Sequence, residues 1–221
     1  MKRVRPEAML FDLDGTLFQT ETLLLPAYEA AFEQMNREGI YTKGTPPKER
    51  ILSSLGMLLE HIWQRVLPDA GERVHRRADE LLLLHQVEGL KRGEGAMYDG
   101  VEETLRALHA KGVKLFVASN GLEAYVKEVI CYKGLAPLFT GLYSAGEYET
   151  RSKVDLVKLL LEQHGIGSAW MVGDRSSDVE AGHKNGLPVV GCNYAGFGKE
   201  SELEGADMVI TEFGQLIDWI D

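Results

Sequence analysis

The sequence predicts an α/β protein with a parallel sheet and an inserted helical segment, which we call the cap. Short apolar runs alternate with longer stretches of helical periodicity, and several of these helical stretches stop at a glycine. One block breaks the alternation, because residues 18 to about 95 contain only helix-like patterns. We therefore predict a core formed by residues 1–17 and 96–221, with residues 18–95 as the cap.

Six apolar runs are the predicted strands of the core. They are Ala8–Asp12, Lys114–Ser119, Leu142–Ala145, Ala169–Gly173, Leu187–Cys192 and Met208–Ile210. The predicted helices of the core are Val101–Lys111, Gly121–Lys133, Val154–His164 and Ser177–Asn185, and those of the cap are Thr22–Glu38, Pro47–Gly56, Leu58–Val66 and Gly71–Glu88. Strands that are joined through helices are typical of a parallel sheet.

Charge and cysteine content narrow the class of protein. Among 221 residues, 34 acidic and 24 basic side chains give a formal net charge of −10. A nucleic-acid binder needs a basic footprint, so we expect no nucleic-acid polymer as a partner. Cys131 and Cys192 are too few for a disulfide framework, and their apolar neighbours predict buried free thiols.

The apolar runs are too short to cross a membrane. No stretch approaches the roughly 20 apolar residues that a spanning helix needs. Residues 1–6 are not followed by the apolar run of a signal peptide. We therefore expect a cytoplasmic enzyme without a membrane partner, and composition leaves both monomer and homodimer open.

The most informative stretch is Asp-Leu-Asp-Gly-Thr-Leu at residues 12–17. A strand that ends at Asp12 presents its carboxylate at the carboxyl edge of the sheet, where ligands bind in open α/β folds. Gly15 permits the tight turn that brings Asp14 towards the same point. Two close carboxylates repel each other, so we expect Asp12 to be an ionised nucleophile beside a cation, with Asp14 as general acid and then base. The alternative is a turn in which both residues only cap the backbone.

A second pair of carboxylates follows another predicted strand. Asp174 comes directly after Gly173, and Asp178 lies four residues further on, at the start of the next helix. Both can face one metal ion, and Mg²⁺ prefers such hard oxygen ligands. Capping of the helix start by these residues is the competing interpretation.

Phosphate-binding groups are expected at two further helix starts. Ser119 and Asn120 end a strand and precede a helix, so a hydroxyl and free backbone N–H groups meet there. Lys153, just before another helix, supplies a cation that can keep the nucleophile ionised and screen a phosphate. Each feature alone is compatible with capping or with a solvated lysine. All of them fall on one edge of one sheet, which favours a joint site.

These residues in this order resemble the haloacid dehalogenase superfamily, and more narrowly its phosphoglycolate phosphatase-like branch with a helical cap. The four motifs match at Asp12 and Asp14, at Ser119, at Lys153, and at Asp174 and Asp178, and the resemblance spans nearly the whole chain. It implies a doubly wound parallel sheet in a Rossmann-like core, with Mg²⁺ held by Asp12, the backbone carbonyl of Asp14 and Asp174. Asp178 would support the metal through water, and Ser119 and Lys153 would bind the phosphoryl group.

The chain departs from the family pattern at two places. Relatives often carry Asp where this chain has Gln19. Which residue makes the first contact with the cap is therefore left open. Many also have Lys-Pro-x-Pro-Asp at the third motif, whereas residues 151–155 read Arg-Ser-Lys-Val-Asp here. Alignment on Asp155 would give the cation's role to Arg151. We expect Lys153, which is nearest the helix start, and keep Arg151 as the alternative.

The resemblance implies a Mg²⁺-dependent phosphatase that hydrolyses a small phosphomonoester through an aspartyl-phosphate on Asp12. Phosphoglycolate, nucleoside monophosphates and sugar phosphates are the expected substrate types. A phosphomutase would use the same residues, a dehalogenase would not need Asp14, and a receiver-type signalling protein would carry its acceptor at a later strand and no cap of this length. Candidates to contact the leaving group from the cap are Tyr41, Lys43, Lys48, Arg50, His61 and Trp63.

Overall fold

Six parallel strands form the main sheet in a computed structural model that describes residues 4–55, 57, 59–196 and 200–220. In chain order the strands are β1 (Ala8–Phe11), β2 (Phe18–Gln19), β3 (Ala96–Met97), β4 (Lys114–Ser119), β5 (Phe139–Ser144), β6 (Ala169–Gly173), β7 (Val189–Cys192) and β8 (Met208–Ile210). The spatial order of the main sheet is β5-β4-β1-β6-β7-β8, while β2 and β3 pair separately as an antiparallel ribbon.

Helices connect the strands and form the insert after β2. They are α1 (Glu21–Arg37), α2 (Lys48–Leu52), α3 (Leu59–Val66), α4 (Glu72–Lys91), α5 (Val101–Ala110), α6 (Glu123–Tyr132), α7 (Ala145–Tyr148), α8 (Lys153–His164), α9 (Ser176–Lys184) and α10 (Gln215–Asp218). Short 3₁₀ turns lie at Ala136–Leu138 and Glu200–Leu203. The predicted doubly wound parallel sheet is confirmed.

Strand β1 supplies side chains to both faces of the sheet. Met9 and Phe11 pack into a cluster with residues of α5, α6 and α10, whereas Ala8 and Leu10 pack with residues of α8 and α9. Successive side chains of a strand point to opposite faces, so a strand buried on both faces is apolar at every position. This is why Ala-Met-Leu-Phe is uninterrupted by polar residues.

The order of the strands places a crevice beside β1. From β1 the chain goes outwards to β4 and β5, and then returns past β1 to continue through β6, β7 and β8 on the other side. At such a reversal the connections leave to opposite sides, and the carboxyl ends of the strands border a ligand-binding crevice. The carboxyl end of β1 is therefore where the fold favours a site.

Helices α1 to α4 enclose a hydrophobic cluster of their own. It includes Tyr28, Phe32, Trp63, Ala78 and Leu81, all of which are buried. A separate cluster gives the insert its own source of hydrophobic stabilisation. The chain limits of core and cap, 1–17 with 96–221 and 18–95, stay a prediction.

The β2–β3 ribbon joins the insert to the sheet. The side-chain amide of Gln19 donates to the Met97 carbonyl at 2.9 Å, and Thr22 Oγ1 accepts the N–H of Ala96 at 3.0 Å. The sequence analysis described residues 18–95 as helical patterns only and missed this ribbon, because two-residue strands are too short to show a period. The side chain of Gln19 thus links β2 and β3, the two strands through which the chain enters and leaves the insert.

Several element boundaries differ from the predicted ones. The strand predicted at Leu142–Ala145 starts earlier, at Phe139, and Ala145 belongs instead to α7, whose start Ser144 caps by accepting the N–H of Glu147. The helix predicted from Gly121 begins at Glu123. Gly56 is the predicted end of one cap helix and Leu58 is the predicted start of the next. Both lie outside the described residues.

The two cysteines have different surroundings. Both are free thiols, as expected, and Cys192 is buried, but the prediction that Cys131 is buried is wrong. Cys131 lies on the outer side of α6, where apolar neighbours in the sequence are not neighbours on the helix face. Among the described residues, no helix has the length and apolar character needed to span a bilayer.

Candidate active site

Asp12 is buried at the carboxyl end of β1. Its backbone N–H donates to the Val172 carbonyl at 2.9 Å, which extends the pairing of β1 with β6 by one residue. Asp12 Oδ1 lies 2.9 Å from Lys153 Nζ. Its other oxygen, Oδ2, is buried and has no hydrogen-bond partner among the described residues. One oxygen is thus held by a cation and the other remains available.

Lys153 is the cation of this cluster. Ser152 caps α8 by accepting the N–H of Asp155, and this puts Lys153 at the first helical position with its side chain 1% exposed. Its Nζ lies 2.6 Å from Asp178 Oδ1 as well as beside Asp12. Burial lowers the pKa of Lys153, but the two carboxylates outweigh it, and the pKa ends above its usual value. Arg151, the alternative, is exposed.

Asp178 anchors this cation to the loop after β6. Its Oδ1 accepts from Lys153, and its Oδ2 accepts the backbone N–H of Arg175 at 3.0 Å, so Asp178 also caps the start of α9. Asp178 thus caps the start of α9, as the competing interpretation expected, and also contacts Lys153, while its role at a metal ion stays a prediction. Burial raises the pKa of Asp178 to about 6 against the opposing effect of Lys153.

Asp174 presents an available oxygen towards the same cluster. Its Oδ1 accepts from Thr16 Oγ1 at 3.1 Å. Its Oδ2 is buried without a hydrogen bond among the described residues, and Arg175 Nε lies 3.4 Å from it. Burial, followed by the charges of Asp12 and Asp178, raises the pKa of Asp174 well above its usual range.

Two glycines make this close packing of carboxylates possible. Gly15 has φ = +78°, and a Cβ there would overlap the Asp174 carboxylate. A Cβ at Gly173 would overlap the carboxylate of Asp178. The turn at Gly15 was expected from the sequence; its approach to Asp174 depends on a contact across the sheet edge.

Asp14 is held by two hydroxyl groups. Thr20 Oγ1 and the Tyr125 hydroxyl each donate to Asp14 Oδ1 at 2.6 Å. Burial, followed by the charge of Asp12, raises the pKa of Asp14 to about 6. A carboxyl group with such a pKa can give and take a proton near neutral pH. The sequence analysis named neither Thr20 nor Tyr125, and their places, directly before α1 and within α6, carry no motif signal.

Ser119 and Asn120 face the same cavity as Asp12 and Asp14. Ser119 is buried, and its Oγ accepts the N–H of Gly121 at 3.1 Å. This local bond holds residues 119–121 in a turn and explains why α6 starts later than predicted. Ser119, Asn120 and Gly121 line the cavity into which the Asp12 and Asp14 carboxylates open.

The donor set of the cluster fits a hard divalent cation. Oxygen atoms of Asp12, Asp174 and Asp178 lie within 4.8 Å of one another. Two buried carboxylate oxygens without hydrogen bonds, one on Asp12 and one on Asp174, are costly unless a positive charge meets them. Mg²⁺ binds through such oxygens and keeps several waters.

The cavity continues from the sheet edge into the helical insert. There its lining is mostly apolar and includes Leu24, Ile51, Leu55, Ile62, Trp63, Leu82 and Leu83, together with Asp79 and Gln86. Of the six cap residues named from the sequence, Trp63 lines this cavity. Tyr41, Lys43 and Arg50 border a different depression beside Val66, and Lys48 and His61 are exposed. The basic cap residues predicted as candidates are thus not in the lining.

Comparison with known proteins agrees with this arrangement. The family model of haloacid dehalogenase-like hydrolases matches residues 9–192. A 5′-nucleotidase of Pseudomonas aeruginosa is 27% identical over 198 residues, which cover 88% of this chain and 86% of that protein. A phosphoglycolate phosphatase of Photobacterium profundum is 26% identical over 220 residues, covering 94% of this chain and 93% of that protein. A crystal structure described as a predicted phosphatase from Clostridium acetobutylicum superposes with a TM-score of 0.77 at 25% identity, covering 96% of this chain and 97% of that one.

Proposed function

Because the chain belongs to the haloacid dehalogenase-like hydrolase family, we propose that it is a Mg²⁺-dependent phosphatase that hydrolyses a small phosphomonoester through an aspartyl-phosphate on Asp12. The single observation that carries the proposal is the Asp12 carboxylate. It is buried at the strand end with Lys153 on one oxygen and no hydrogen bond, among the described residues, on the other. The relatives named 5′-nucleotidase and phosphoglycolate phosphatase support the substrate class.

Asp12 is the nucleophile of the first step. Its free carboxylate oxygen attacks phosphorus, an O–P bond forms to Asp12, and the ester O–P bond breaks. Asp14 gives its proton to the departing oxygen, so the leaving group departs as an alcohol. The hydroxyls of Thr20 and Tyr125 occupy Asp14 Oδ1 and leave Oδ2 for this transfer.

Water completes the reaction in the second step. Asp14, now ionised, takes a proton from water as the water oxygen attacks phosphorus. The bond to Asp12 breaks, inorganic phosphate leaves, and both carboxyl groups return to their starting states. Phosphoryl transfer depends mostly on positioning and charge stabilisation, so we assign Lys153, Ser119 and Asn120 to the phosphoryl oxygens.

Asp12, Asp174 and the backbone carbonyl of Asp14 are the proposed Mg²⁺ ligands. Asp178 is assigned to indirect support, because both of its oxygens already accept hydrogen bonds, from Lys153 and from Arg175. When bound, Mg²⁺ supplies positive charge that offsets both the clustered carboxylates and the phosphoryl oxygens.

The test is phosphate release from p-nitrophenyl phosphate and a panel of phosphomonoesters, with and without Mg²⁺. We expect turnover only with Mg²⁺, and Asp12→Asn, which exchanges one oxygen for an amide, is expected to lower it about 10³-fold or more. Retention of more than about a tenth of wild-type turnover by a folded Asp12→Asn variant contradicts the nucleophile assignment. A requirement for a sugar bisphosphate in turnover indicates a phosphomutase instead.

A further inference from the structure

The helical part of the cavity is an apolar surface that faces the substrate's leaving group. Ile51, Ile62, Trp63, Leu82 and Leu83 line it opposite the polar sheet edge. A phosphoryl group at Asp12 directs its ester oxygen away from β1 and into this space. Burial of hydrocarbon against this lining removes apolar surface from water and so stabilises a complex. An apolar leaving group therefore matches this wall better than a small hydrated one.

The charges along the cavity have one sign. Its charged lining residues, within the part of the chain that the structure describes, are the carboxylates Asp12, Asp14 and Asp79, and no lysine, arginine or histidine joins them. Lys153 faces Asp12 and Asp178 at the sheet edge and has carboxylates on both sides. An anionic group on the leaving side would meet the negative charge of Asp79 and no cationic side chain among the described lining residues.

Asp79 is the charged residue of the helical lining, within the part of the chain that the structure describes, and Gln86 is a neutral polar residue beside it in that lining. Asp79 lies on α4, is partly buried, and its Oδ1 accepts the indole N–H of Trp63 at 3.1 Å. Burial is the main cause of its raised pKa, and the nearby charge acting in the same direction is Glu80. The indole bond occupies one oxygen and fixes the carboxyl group beside the apolar wall. The second oxygen remains to accept from a donor on a bound molecule.

We propose that Asp79 selects the leaving group: the preferred substrate is a phosphomonoester whose leaving group has an apolar body and a neutral or cationic hydrogen-bond donor, and anionic leaving groups are rejected. This inference rests on the proposed function and narrows its substrate class. It separates this chain from the anionic leaving group that the name of the phosphoglycolate phosphatase relative implies for that protein.

A matched series of substrates tests the inference directly. Three benzyl phosphates that differ only in the para substituent, namely aminomethyl, hydroxymethyl and carboxylate, have the same reacting ester and the same apolar ring. We expect kcat/KM for the first two to exceed that for the carboxylate by about tenfold or more. Equal values, or a preference for the carboxylate, overturn the proposal.

The same assay separates this inference from the proposed function. Turnover of p-nitrophenyl phosphate that is lost in Asp12→Asn supports the phosphatase, whatever the order of the benzyl series. If p-nitrophenyl phosphate is turned over and none of the three benzyl phosphates is, the proposed leaving-group class is wrong. If no phosphomonoester is turned over, the proposed function itself fails.

Asp79→Asn tests the residue. The amide keeps an oxygen for Trp63 and removes the negative charge, so the ratio of kcat/KM between the aminomethyl and carboxylate substrates is expected to fall by about tenfold. Asp69→Asn is the control, because Asp69 is exposed in the insert and outside this cavity, and its ratio is expected to equal that of the wild type. An unchanged ratio in Asp79→Asn with a wild-type melting temperature overturns the role of Asp79. If that variant does not fold, the order of the benzyl series in the wild-type enzyme decides.

Discussion

The two ends of the active-site cavity are built differently. At the sheet edge, buried charges are bonded to one another, as Lys153 is to Asp12 and Asp178. In the helical insert the lining is mostly hydrocarbon, with Gln86 and the partly buried carboxyl group of Asp79 as its polar residues among those described. Catalysis at the sheet edge depends on a balance of charges that acts on every substrate. Binding at the helical lining depends on the shape of the leaving group and on the negative charge of Asp79. Substitutions of the charged cluster at the sheet edge are therefore expected to affect all substrates alike, except at Asp14, where the loss depends on whether the leaving group needs a proton. Substitutions in the insert are expected to change the ranking of the substrates.

Among the variants that test this contrast, Lys153→Met is expected to have the largest effect on activity and stability. The variant keeps the length of the side chain but leaves the carboxylates of Asp12 and Asp178 without their cation. We expect kcat/KM to fall about 10³-fold for every phosphomonoester, and the free energy of unfolding to fall by about 3–5 kcal/mol. Phosphate release and chemical denaturation measure the two effects.

Two exposed cations are the controls for Lys153→Met. Lys158 lies on the same helix as Lys153, and Arg151 is the alternative phosphate-site cation. The control variants are Lys158→Met and Arg151→Met. Both are expected to keep kcat/KM within about threefold of wild type. A larger loss in Arg151→Met than in Lys153→Met would reverse the assignment of the cation. A loss of kcat/KM in Lys153→Met that is confined to one substrate would contradict the expected difference between the two ends of the cavity.

A smaller and more selective effect is expected at Asp14 and the tyrosine that holds it. Asp14→Asn should slow alkyl phosphates far more than p-nitrophenyl phosphate, whose leaving group departs without a proton. Tyr125→Phe removes one of two hydrogen bonds to Asp14 and should follow the same pattern at about tenfold. Tyr132→Phe is the control, because Tyr132 lies on the same helix and is exposed. Equal losses for both kinds of substrate would contradict a proton-transfer role for Asp14.

The smallest expected effect is that of pH on the thermal stability of the protein. Burial raises the pKa of Asp178 to about 6, and burial together with the charges of Asp12 and Asp178 raises the pKa of Asp174 well above its usual range. Between the unfolded pKa and the raised folded one, the folded state binds more protons, so the stability of metal-free protein falls as pH rises through this window. Mg²⁺ binds the ionised carboxylates and offsets this loss.

The melting temperature is therefore expected to rise more on addition of Mg²⁺ at about pH 8 than at about pH 5.5. Thermal unfolding in Mg²⁺ and in EDTA, at matched ionic strength, measures the difference. Asp79→Asn is expected to leave this metal effect as it is, because Asp79 belongs to the other end of the cavity. A larger Mg²⁺ effect at the lower pH would contradict a metal site made of these carboxylates.

The sequence analysis succeeded where chemistry and local structure coincide. Asp12 follows a strand that is apolar at every position, Asp174 follows another, and Lys153 follows a capping serine. In each case a short segment contains both the element and the reactive side chain that its end presents. The parallel sheet then brings these ends to one edge, since all its strands run in one direction.

The sequence analysis failed where the signal was too short or lay in packing between distant segments. The two-residue strands of the β2–β3 ribbon show no period, and the exposure of Cys131 depends on which face of α6 meets the sheet. The basic cap residues were candidates to contact the leaving group, because the cap lies opposite the predicted site. In the folded insert, however, Tyr41, Lys43 and Arg50 border a different depression.

Local pattern in the chain was sufficient for the class of fold and for the carboxylates that cluster at the strand ends, because each of these is encoded within a few consecutive residues. Folding alone brought Tyr125 and Thr20 to one oxygen of Asp14, across 111 and 6 residues of chain, and put Asp79 beside the indole of Trp63. The physical reason is that side-chain contacts between separate helices depend on how those helices pack, and no short stretch of sequence carries that information.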